Sequence, residues 1–218
     1  MRLARVLATG AAALLLDACG LAAPPGGTTT ITVAPTPGTT TSGAAAQLQD
    51  FSDAEKAALR IRNIGCGGVS VGSGFAIGKH LLVTNRHVVG GAAVLQVQTF
   101  DGRDIQVTAT EATTMADLAV VRTKQALTGA IEMAGSNPDV GDGVTAVGYP
   151  LGGQLTTTTG HVLGYGLDPV GWSSLPMLVN DAPIEHGSSG SPLLNADGEL
   201  VGVVYANQRG RSALCGAG

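Results

Sequence analysis

The sequence predicts an all-β protein built from two sets of strands. Aromatic residues make up only 3% of the 218-residue chain and charged residues 13%, whereas glycine occurs 33 times. Valine, threonine and alanine are also frequent, so the core must be built from small and β-branched side chains, which favour strands over helices. From residue 67 onward, short apolar runs alternate with glycine-rich or polar breaks, and no long helical period returns.

The strand-like runs fall into two groups on either side of a break at residues 124–130. The first group reads VSVGSGFAI, HLLVTN, AVLQVQTF, DIQVTAT and DLAVVRT. The second reads GVTAVGYP, QLTTTTGHVLGYG, SLPMLVND, GSPLLN and ELVGVVYA. Two such groups indicate two barrels or sandwiches. An isolated sandwich would explain the strands equally well, so the choice of fold depends on the motifs, and the length suits one domain of ordinary size.

A short helix is predicted ahead of the strands. Ser52 is followed three residues later by Glu55, which is the form of a capping box, and the helix is expected to run to about Ile61. Gly65 would end it. Its side chains offer no reactive group, so we expect a structural role.

The first 19 residues predict an export signal. Arg2 and Arg5 supply positive charge, and residues 6–16 form an apolar run that is too short to span a bilayer. The run ends in LDAC, which resembles a bacterial lipobox whose cysteine, here Cys19, is lipidated. An ordinary signal peptide with an incidental Cys19 is the alternative.

Residues 20–50 predict a disordered linker. Proline, glycine and threonine dominate, as in PPGGTTTITVAPTPGTTTSG, and no apolar period is present that could bury a core. If Cys19 carries lipid, the linker would hold the folded domain away from the outer face of the bacterial cytoplasmic membrane. Otherwise it is the leader of a secreted protein.

Charge and histidine content exclude two classes of function. The formal net charge is −4, without a basic block downstream of the signal region, so nucleic acid is not expected as a partner. The four histidines show no spacing typical of zinc ligands, so no metal is expected. No other cofactor is expected either.

The strongest motif is GSSGSP at residues 187–192, which fits a Gly-x-Ser-Gly-x-Pro turn with Ser189 as candidate nucleophile. In such a turn the backbone N–H groups of Gly187 and Ser189 point at the oxygen that becomes negative during acyl transfer. A side chain at Gly187 or Gly190 would crowd the turn. The run NADG at residues 195–198 then joins two apolar strands by a tight turn.

The second motif is TNRHVV, which contains His87. Histidine titrates near neutral pH, so it can take the hydroxyl proton of Ser189 and pass it to a leaving amine. On that fact alone, a single histidine beside a glycine pair is more often a turn residue than a catalyst, and the flanking sequence reverses the preference in favour of the general base.

The third motif is ADLAVVRT, in which Asp117 begins an apolar run. An acid here would orient the imidazole and stabilise its cationic form. Alone, Asp117 would be interpreted as a solvent-exposed residue that opens a strand. The order His87, Asp117, Ser189 argues against coincidence.

These motifs resemble the trypsin-like peptidase family over residues 64–218. The chain is similar to its compact bacterial periplasmic, HtrA-like branch and to actinobacterial acid-resistance proteases. The resemblance implies a peptidase domain over residues 51–218 with two six-stranded antiparallel β-barrels, at about 64–124 and 128–218, after the short helix.

The resemblance implies a serine endopeptidase that cleaves protein or peptide substrates through an acyl-enzyme. His87, Asp117 and Ser189 would form the catalytic triad, and Gly187, Ser188 and Ser189 the oxyanion hole. No PDZ-like segment follows, so we expect a monomer without cage-forming chaperone behaviour.

The resemblance also implies where a substrate binds. The main chain of Val204, Tyr205 and Ala206 would pair with the substrate by β-augmentation, and Ile184 would contribute to the pocket. Pro183 stands where trypsin-type enzymes hold an acid, so the pocket is expected to be apolar.

The branch motif is altered at two positions of NDAPIEHGSSG and at the residue that follows it. Glu185, Ser188 and Ser191 replace the residues usual in the branch, which leaves the triad intact and bears on substrate preference.

Two cysteines predict a disulfide. Cys66 precedes the first predicted strand and Cys215 follows the last, and they form an even pair once Cys19 is assigned to lipid. An oxidising, exported setting favours a Cys66–Cys215 bond, with two free thiols as the alternative.

Two non-enzymatic functions stay open on the sequence. A catalytically silent trypsin-like domain could serve binding, and a lipid-anchored adhesin could use the barrels as scaffold. An intact triad together with an intact glycine turn distinguishes an enzyme from both.

Overall fold

The computed structural model of the chain describes residues 52–168, 171, 175–208 and 211–216, without the side chains of 206–208 and 211–216. The predicted export signal, Cys19 and the linker at residues 20–50 lie outside these ranges. All described residues belong to one compact unit. Within them, no helix is both long and apolar enough to cross a membrane.

The fold consists of thirteen strands with three short helical segments among the described residues. In chain order these are α1 (Asp53–Ala57), β1 (Ala58–Gly65), β2 (Gly68–Gly78), β3 (Leu81–Thr84), α2 (Arg86–Val89), β4 (Val94–Thr99), β5 (Asp104–Ile105), β6 (Val107–Ala112), β7 (Ala119–Thr123), β8 (Gly143–Gly148), a 3₁₀ turn (Pro150–Gly152), β9 (Thr156–Gly166), β10 (Met177–Asn180), β11 (Pro192–Leu194), β12 (Leu200–Gln208) and β13 (Arg211–Gly216).

Helix α1 begins where the capping box predicts. The Ser52 Oγ accepts the Glu55 N–H at 3.2 Å, and the Glu55 carboxylate accepts the Ser52 N–H at 2.8 Å. The helix ends at Ala57, however, and not near Ile61 as the sequence suggested. The chain continues at once as β1, because Leu59 and Ile61 are buried between the neighbouring strands β2 and β4.

Strands β1–β7 form a seven-stranded antiparallel sheet in the order β5-β4-β1-β2-β3-β7-β6. Its buried face carries large apolar side chains, the largest being Phe75, Leu59, Ile61 and Leu82. The sheet thus has one strand more than the six predicted, because the two-residue β5 adds an edge. It also begins at Ala58, before the predicted boundary near residue 64.

Strands β8–β13 form a closed, six-stranded antiparallel barrel in the order β10-β13-β12-β11-β8-β9. The all-β prediction with two barrel-like sheets is therefore confirmed.

The two sheets share one hydrophobic core. Side chains of β1–β7 pack in a single buried cluster with Val147, Tyr149, Leu194, Leu200 and Val203 from the second half of the chain. A second cluster, which includes Leu178, Leu193 and Val201, fills the interior of the closed barrel. The shared cluster fixes β2 and β3 against β8, β11 and β12, and it thereby positions His87, which follows β3, and Ser189, which precedes β11.

Candidate active site

Asp117 is a buried carboxylate held against His87. The Asp117 side chain is 1% exposed. Its Oδ1 accepts the backbone N–H of His87 at 2.9 Å, and its Oδ2 contacts the imidazole Nδ1. Because Nδ1 faces the carboxylate, Nε2 is the ring nitrogen left to exchange a proton with another group.

The main chain at Asp117 is bonded to the residues just before His87. The Asn85 side-chain amide donates to the Asp117 carbonyl at 2.8 Å, and the Arg86 N–H donates to the same oxygen at 3.2 Å. The Arg86 Nε lies 3.9 Å from the Asp117 Oδ1. These contacts hold the acid and the imidazole in one geometry.

Helix α2, which carries His87, is fixed by its apolar side. Val88 and Val89 are buried in the shared core. Val88 packs directly on β2 at Gly72, where a Cβ would lie 2.6 Å from the valine Cγ1. The glycine therefore allows α2 to sit close enough to the sheet for His87 to reach Asp117.

The predicted nucleophile turn lies at residues 185–191, before β11. Ser188 donates its N–H to the Glu185 carbonyl at 3.0 Å, and Ser191 donates to the Ser188 carbonyl at 3.0 Å. Gly187 and Gly190 adopt φ values of +90° and +88°, which favour glycine.

Two backbone N–H groups of this turn are available to an oxyanion. Within the described ranges, the N–H groups of Gly187 and Ser189 have no acceptor in the protein. The N–H of Ser188, which was predicted to join the oxyanion hole, instead closes the turn onto Glu185. The arrangement can therefore offer two donors, as tetrahedral intermediates of acyl transfer require.

Ser189 is connected to the His87 segment through two buried hydroxyl residues of the first sheet. The Ser73 N–H donates to the Ser189 carbonyl at 2.8 Å. The Ser73 carbonyl accepts the Thr84 hydroxyl at 2.6 Å, and Thr84 lies three residues before His87. His87 and Asp117 are thus in direct contact, whereas Ser189 is linked through Ser73 and Thr84 to the end of β3, which precedes the helix of His87.

Sequence reasoning assigned no role to Ser73, Thr84 or Asn85. All three are fully buried polar residues. The available signal was a hydroxyl or amide side chain inside or beside an apolar strand, as in GSGF and LLVTN.

The predicted substrate-binding residues have other contacts. Ile184 and Val204 are buried in the core of the closed barrel. The Tyr205 side chain is also buried, and its hydroxyl donates to the Asp168 Oδ1 at 2.6 Å. Ala206 pairs through its main chain with Ala213 of β13, and its side chain lies outside the description.

The main chain of Val204 supports the nucleophile turn. Its N–H donates to the Ser191 carbonyl at 2.9 Å, and its carbonyl accepts the Gly190 N–H at 2.7 Å. The N–H of Val204 is thus used within the turn, and its pairing with a substrate stays a prediction.

Cys66 is exposed and forms no disulfide with any side chain that the structure describes. It lies in the turn between β1 and β2, whereas Cys215 belongs to β13 of the closed barrel and its side chain is not described. The Cys66–Cys215 disulfide stays a prediction.

Tyr149 lies next to Gly187 of the nucleophile turn, and its phenol stays un-ionised near neutral pH. Burial raises the pKa of Tyr149 to about 12, with the Arg60 guanidinium acting to lower it and Asp101 to raise it. The phenol is therefore no proton carrier near neutral pH. Elsewhere in the described ranges, no group of three or more His, Cys, Asp or Glu side chains could hold a metal ion.

Comparison with known proteins places this geometry in a family. The family model of the trypsin-like peptidase domain matches residues 72–203, which include His87, Asp117 and Ser189. The Do-like HtrA serine protease of Bacillus subtilis (strain 168) is 34% identical over 135 residues, which cover 58% of this chain and 30% of the relative.

Two further relatives give the same result. The putative serine protease HhoA of Synechocystis is 42% identical over 142 residues, which cover 61% of this chain and 36% of the relative. The periplasmic serine endoprotease DegP of Escherichia coli (strain K12) is 36% identical over 141 residues, which cover 62% of this chain and 30% of the relative. The chain thus spans about a third of the length of the curated relatives it matches.

Among solved structures, the active form of the Rv3671c protease from M. tuberculosis matches with a TM-score of 0.68 and 24% identity, covering 80% of this chain and 79% of that chain. This likeness supports the fold. Since the family model covers more than half of the sequence, the chain belongs to the trypsin-like peptidase family.

Proposed function

We propose that the chain is a serine endopeptidase that hydrolyses peptide bonds of protein or peptide substrates, with Ser189 as nucleophile, His87 as general base and Asp117 as the acid that orients it. The observation that carries the proposal is the buried Asp117 carboxylate bonded to the His87 Nδ1. The relatives from B. subtilis, Synechocystis and E. coli, whose names describe serine proteases, support it.

The reaction begins when the Ser189 Oγ attacks the carbonyl carbon of the scissile bond. The hydroxyl proton passes to the His87 Nε2, because Nδ1 faces Asp117. The negative charge that develops on the carbonyl oxygen is stabilised by the N–H groups of Gly187 and Ser189, where one such donor accounts for about a hundredfold to a thousandfold in rate.

The tetrahedral intermediate then collapses to an acyl-enzyme. His87 gives its proton to the leaving amine, and the peptide C–N bond breaks while Ser189 keeps the acyl group. A water molecule next attacks the ester, with His87 again accepting the proton. His87 then returns this proton to the Ser189 Oγ as the ester C–O bond breaks, which releases the carboxylic acid and restores the Ser189 hydroxyl.

The test is covalent labelling with a serine-reactive peptide phosphonate, followed by identification of the modified residue. We expect modification of Ser189 and loss of peptide hydrolysis by about a millionfold in Ser189→Ala. Ser136 is an exposed serine in the loop before β8, so Ser136→Ala is the matched control with unchanged turnover. A folded wild type that is neither labelled nor active would instead support a catalytically silent binding domain.

We further propose that the protein is exported and anchored by lipid at Cys19. The supporting observations are the charged and apolar N-terminal segment that ends in LDAC and the periplasmic location in the name of the E. coli relative.

Metabolic labelling with a fatty-acid analogue tests the anchor. We expect the wild type and Cys66→Ser to be labelled and to sediment with membranes, and Cys19→Ser to be unlabelled. Release of the wild type and Cys19→Ser into the medium in equal amounts would instead indicate simple secretion.

A further inference from the structure

Ser73 makes four hydrogen bonds to three separate segments around the nucleophile turn. Its N–H donates to the Ser189 carbonyl at 2.8 Å, and its hydroxyl donates to the Gly187 carbonyl at 2.7 Å. The same hydroxyl accepts the Tyr149 N–H at 2.9 Å, and the Ser73 carbonyl accepts the Thr84 hydroxyl at 2.6 Å. Ser73 is fully buried, so water competes for none of these contacts.

Two of these bonds fix the peptide planes on either side of the Ser189 N–H. The Ser73 hydroxyl orients the peptide between Gly187 and Ser188, and the Ser73 N–H orients the peptide between Ser189 and Gly190. The peptide between them, Ser188–Ser189, carries the Ser189 N–H that faces an oxyanion. Its orientation is therefore set by Ser73 before a substrate binds, and donors held in this way stabilise a transition state without reorganising.

The surrounding glycines leave room for the two hydroxyl residues. A Cβ at Gly190 would lie 2.0 Å from the Ser73 carbonyl oxygen and 2.4 Å from the Thr84 Oγ1. A Cβ at Gly148 would lie 2.8 Å from the Ser73 Oγ. The turn thus packs directly onto Ser73 and Thr84.

Thr84 connects Ser73, and with it the nucleophile turn, to the segment that carries the general base. It ends β3, and Asn85 at the N-cap and helix α2 with His87 follow directly. We propose that the Ser73 hydroxyl, supported by Thr84, is the positioning group that sets the Ser189 N–H and holds the nucleophile turn in register with His87. The inference rests on the proposed function, since it assigns Ser189 as the nucleophile.

Ser73→Ala tests the hydroxyl, because it removes two hydrogen bonds and keeps the backbone bond to Ser189. In hydrolysis of a chromogenic peptide we expect kcat to fall about tenfold to a hundredfold, with KM changed less than about twofold. The inhibition constant of a peptide boronic acid, whose adduct mimics the tetrahedral intermediate, should rise by a similar factor. The Kd of an uncleaved peptide should stay unchanged.

Thr84 supplies an independent pair of variants. Thr84→Val keeps the shape of the side chain and removes the hydroxyl, so we expect a smaller loss of kcat. Thr84→Ser keeps the hydroxyl, so its kcat should return to the wild-type value. If Ser73→Ala does not fold, this pair carries the same test.

Thr99→Val is the matched control for lost stability. Thr99 is buried in β4, and its hydroxyl donates to the Asp101 carboxylate and accepts the Arg103 N–H at 3.1 Å. It lies outside the site, so we expect a lower melting temperature and wild-type kcat. All assays are run below the lowest melting midpoint.

The outcomes separate the two proposals. Wild-type kcat and boronic-acid affinity in Ser73→Ala, with an active wild type, overturn the inference alone. A loss of kcat in Thr99→Val equal to that in Ser73→Ala also overturns it, since general destabilisation would then explain both. A folded wild type that neither hydrolyses peptides nor reacts with the phosphonate at Ser189 overturns the proposed function together with the inference.

Discussion

Gly190 stands at the contact between the nucleophile turn and the first sheet. Its φ is +88°, and an added Cβ would lie 2.0 Å from the Ser73 carbonyl oxygen. Gly198, in the turn between β11 and β12, has a similar φ of +80° but no atom within 4 Å of its added Cβ. Substitution by alanine would therefore cause similar backbone strain at both glycines, but only at Gly190 would the added Cβ also clash with neighbouring atoms.

The comparison between Gly190→Ala and Gly198→Ala separates the two effects. For Gly198→Ala we expect a loss of about 1–2 kcal/mol in the free energy of unfolding, from backbone strain, and unchanged turnover. For Gly190→Ala we expect a larger loss of stability and loss of hydrolysis, because the turn must move off Ser73. Urea unfolding and peptide turnover measure both. Equal losses of stability and turnover in the two variants would show that backbone strain alone explains the effect of Gly190→Ala, without a contribution from the clash with Ser73.

At the residue scale, the sequence was most informative where a chemical group has few alternative uses. The motifs TNRHVV and ADLAVVRT predicted a contact between His87 and Asp117, and the structure places the two in contact. Ser73 and Thr84 were missed, because a hydroxyl in a strand has many possible partners. The bond from the Ser73 hydroxyl to Gly187 spans 114 residues of sequence, so only the folded chain identifies it.

At the element scale, the end of α1 shows that a local sequence pattern does not always predict where a helix ends. The apolar residues Ala57, Ala58, Leu59 and Ile61 fit the spacing of a helix, and the capping box at Ser52 predicted the start correctly. The strand that begins at Ala58 is instead decided by pairing with β2 and β4, which lie outside the local window. Tertiary pairing overrides propensity in such short segments.

Strand β12 gives a second example. The resemblance placed Val204 against a substrate, since an extended strand next to the nucleophile suits β-augmentation. In the structure the hydrogen bonds of Val204 with Gly190 and Ser191 make β12 the support of the nucleophile turn. A sequence motif gives the neighbourhood of such a strand but not which of its N–H groups are already used.

At the scale of the whole molecule, the site depends on two sheets that share one core. His87 lies in α2, which follows β3 of the first sheet, Asp117 lies just before β7 of the same sheet, and the nucleophile turn precedes β11 of the closed barrel. Residues of both halves form a single buried cluster, so a rotation between the sheets would expose apolar side chains and break the contacts of Ser73. The number of strands in the first sheet and the shared cluster were not predictable from alternating patterns, which do not specify how sheets pack.

A Cys66–Cys215 disulfide would join these two sheets covalently. It would close a long loop of chain, for which the chain-entropy model gives a stabilisation of about 4 to 5 kcal/mol. Cys66 lies outside the contacts of Asp117 and of the nucleophile turn, so we expect Cys66→Ser to lower the melting temperature by about 10 °C while turnover well below the midpoint stays at the wild-type value.

Thiol labelling tests the bond directly, because Cys66 is exposed and accessible to a maleimide unless it is bonded. In protein prepared without reductant we expect labelling at Cys66 only after reduction, and the melting temperature of the reduced protein to match that of Cys66→Ser. Immediate labelling of Cys66 would show that the thiol is free and the bond absent. Because Cys215 pairs with Val203, next to the Val204 that supports the nucleophile turn, loss of turnover on reduction at an unchanged melting temperature would instead assign the bond to control of the active site.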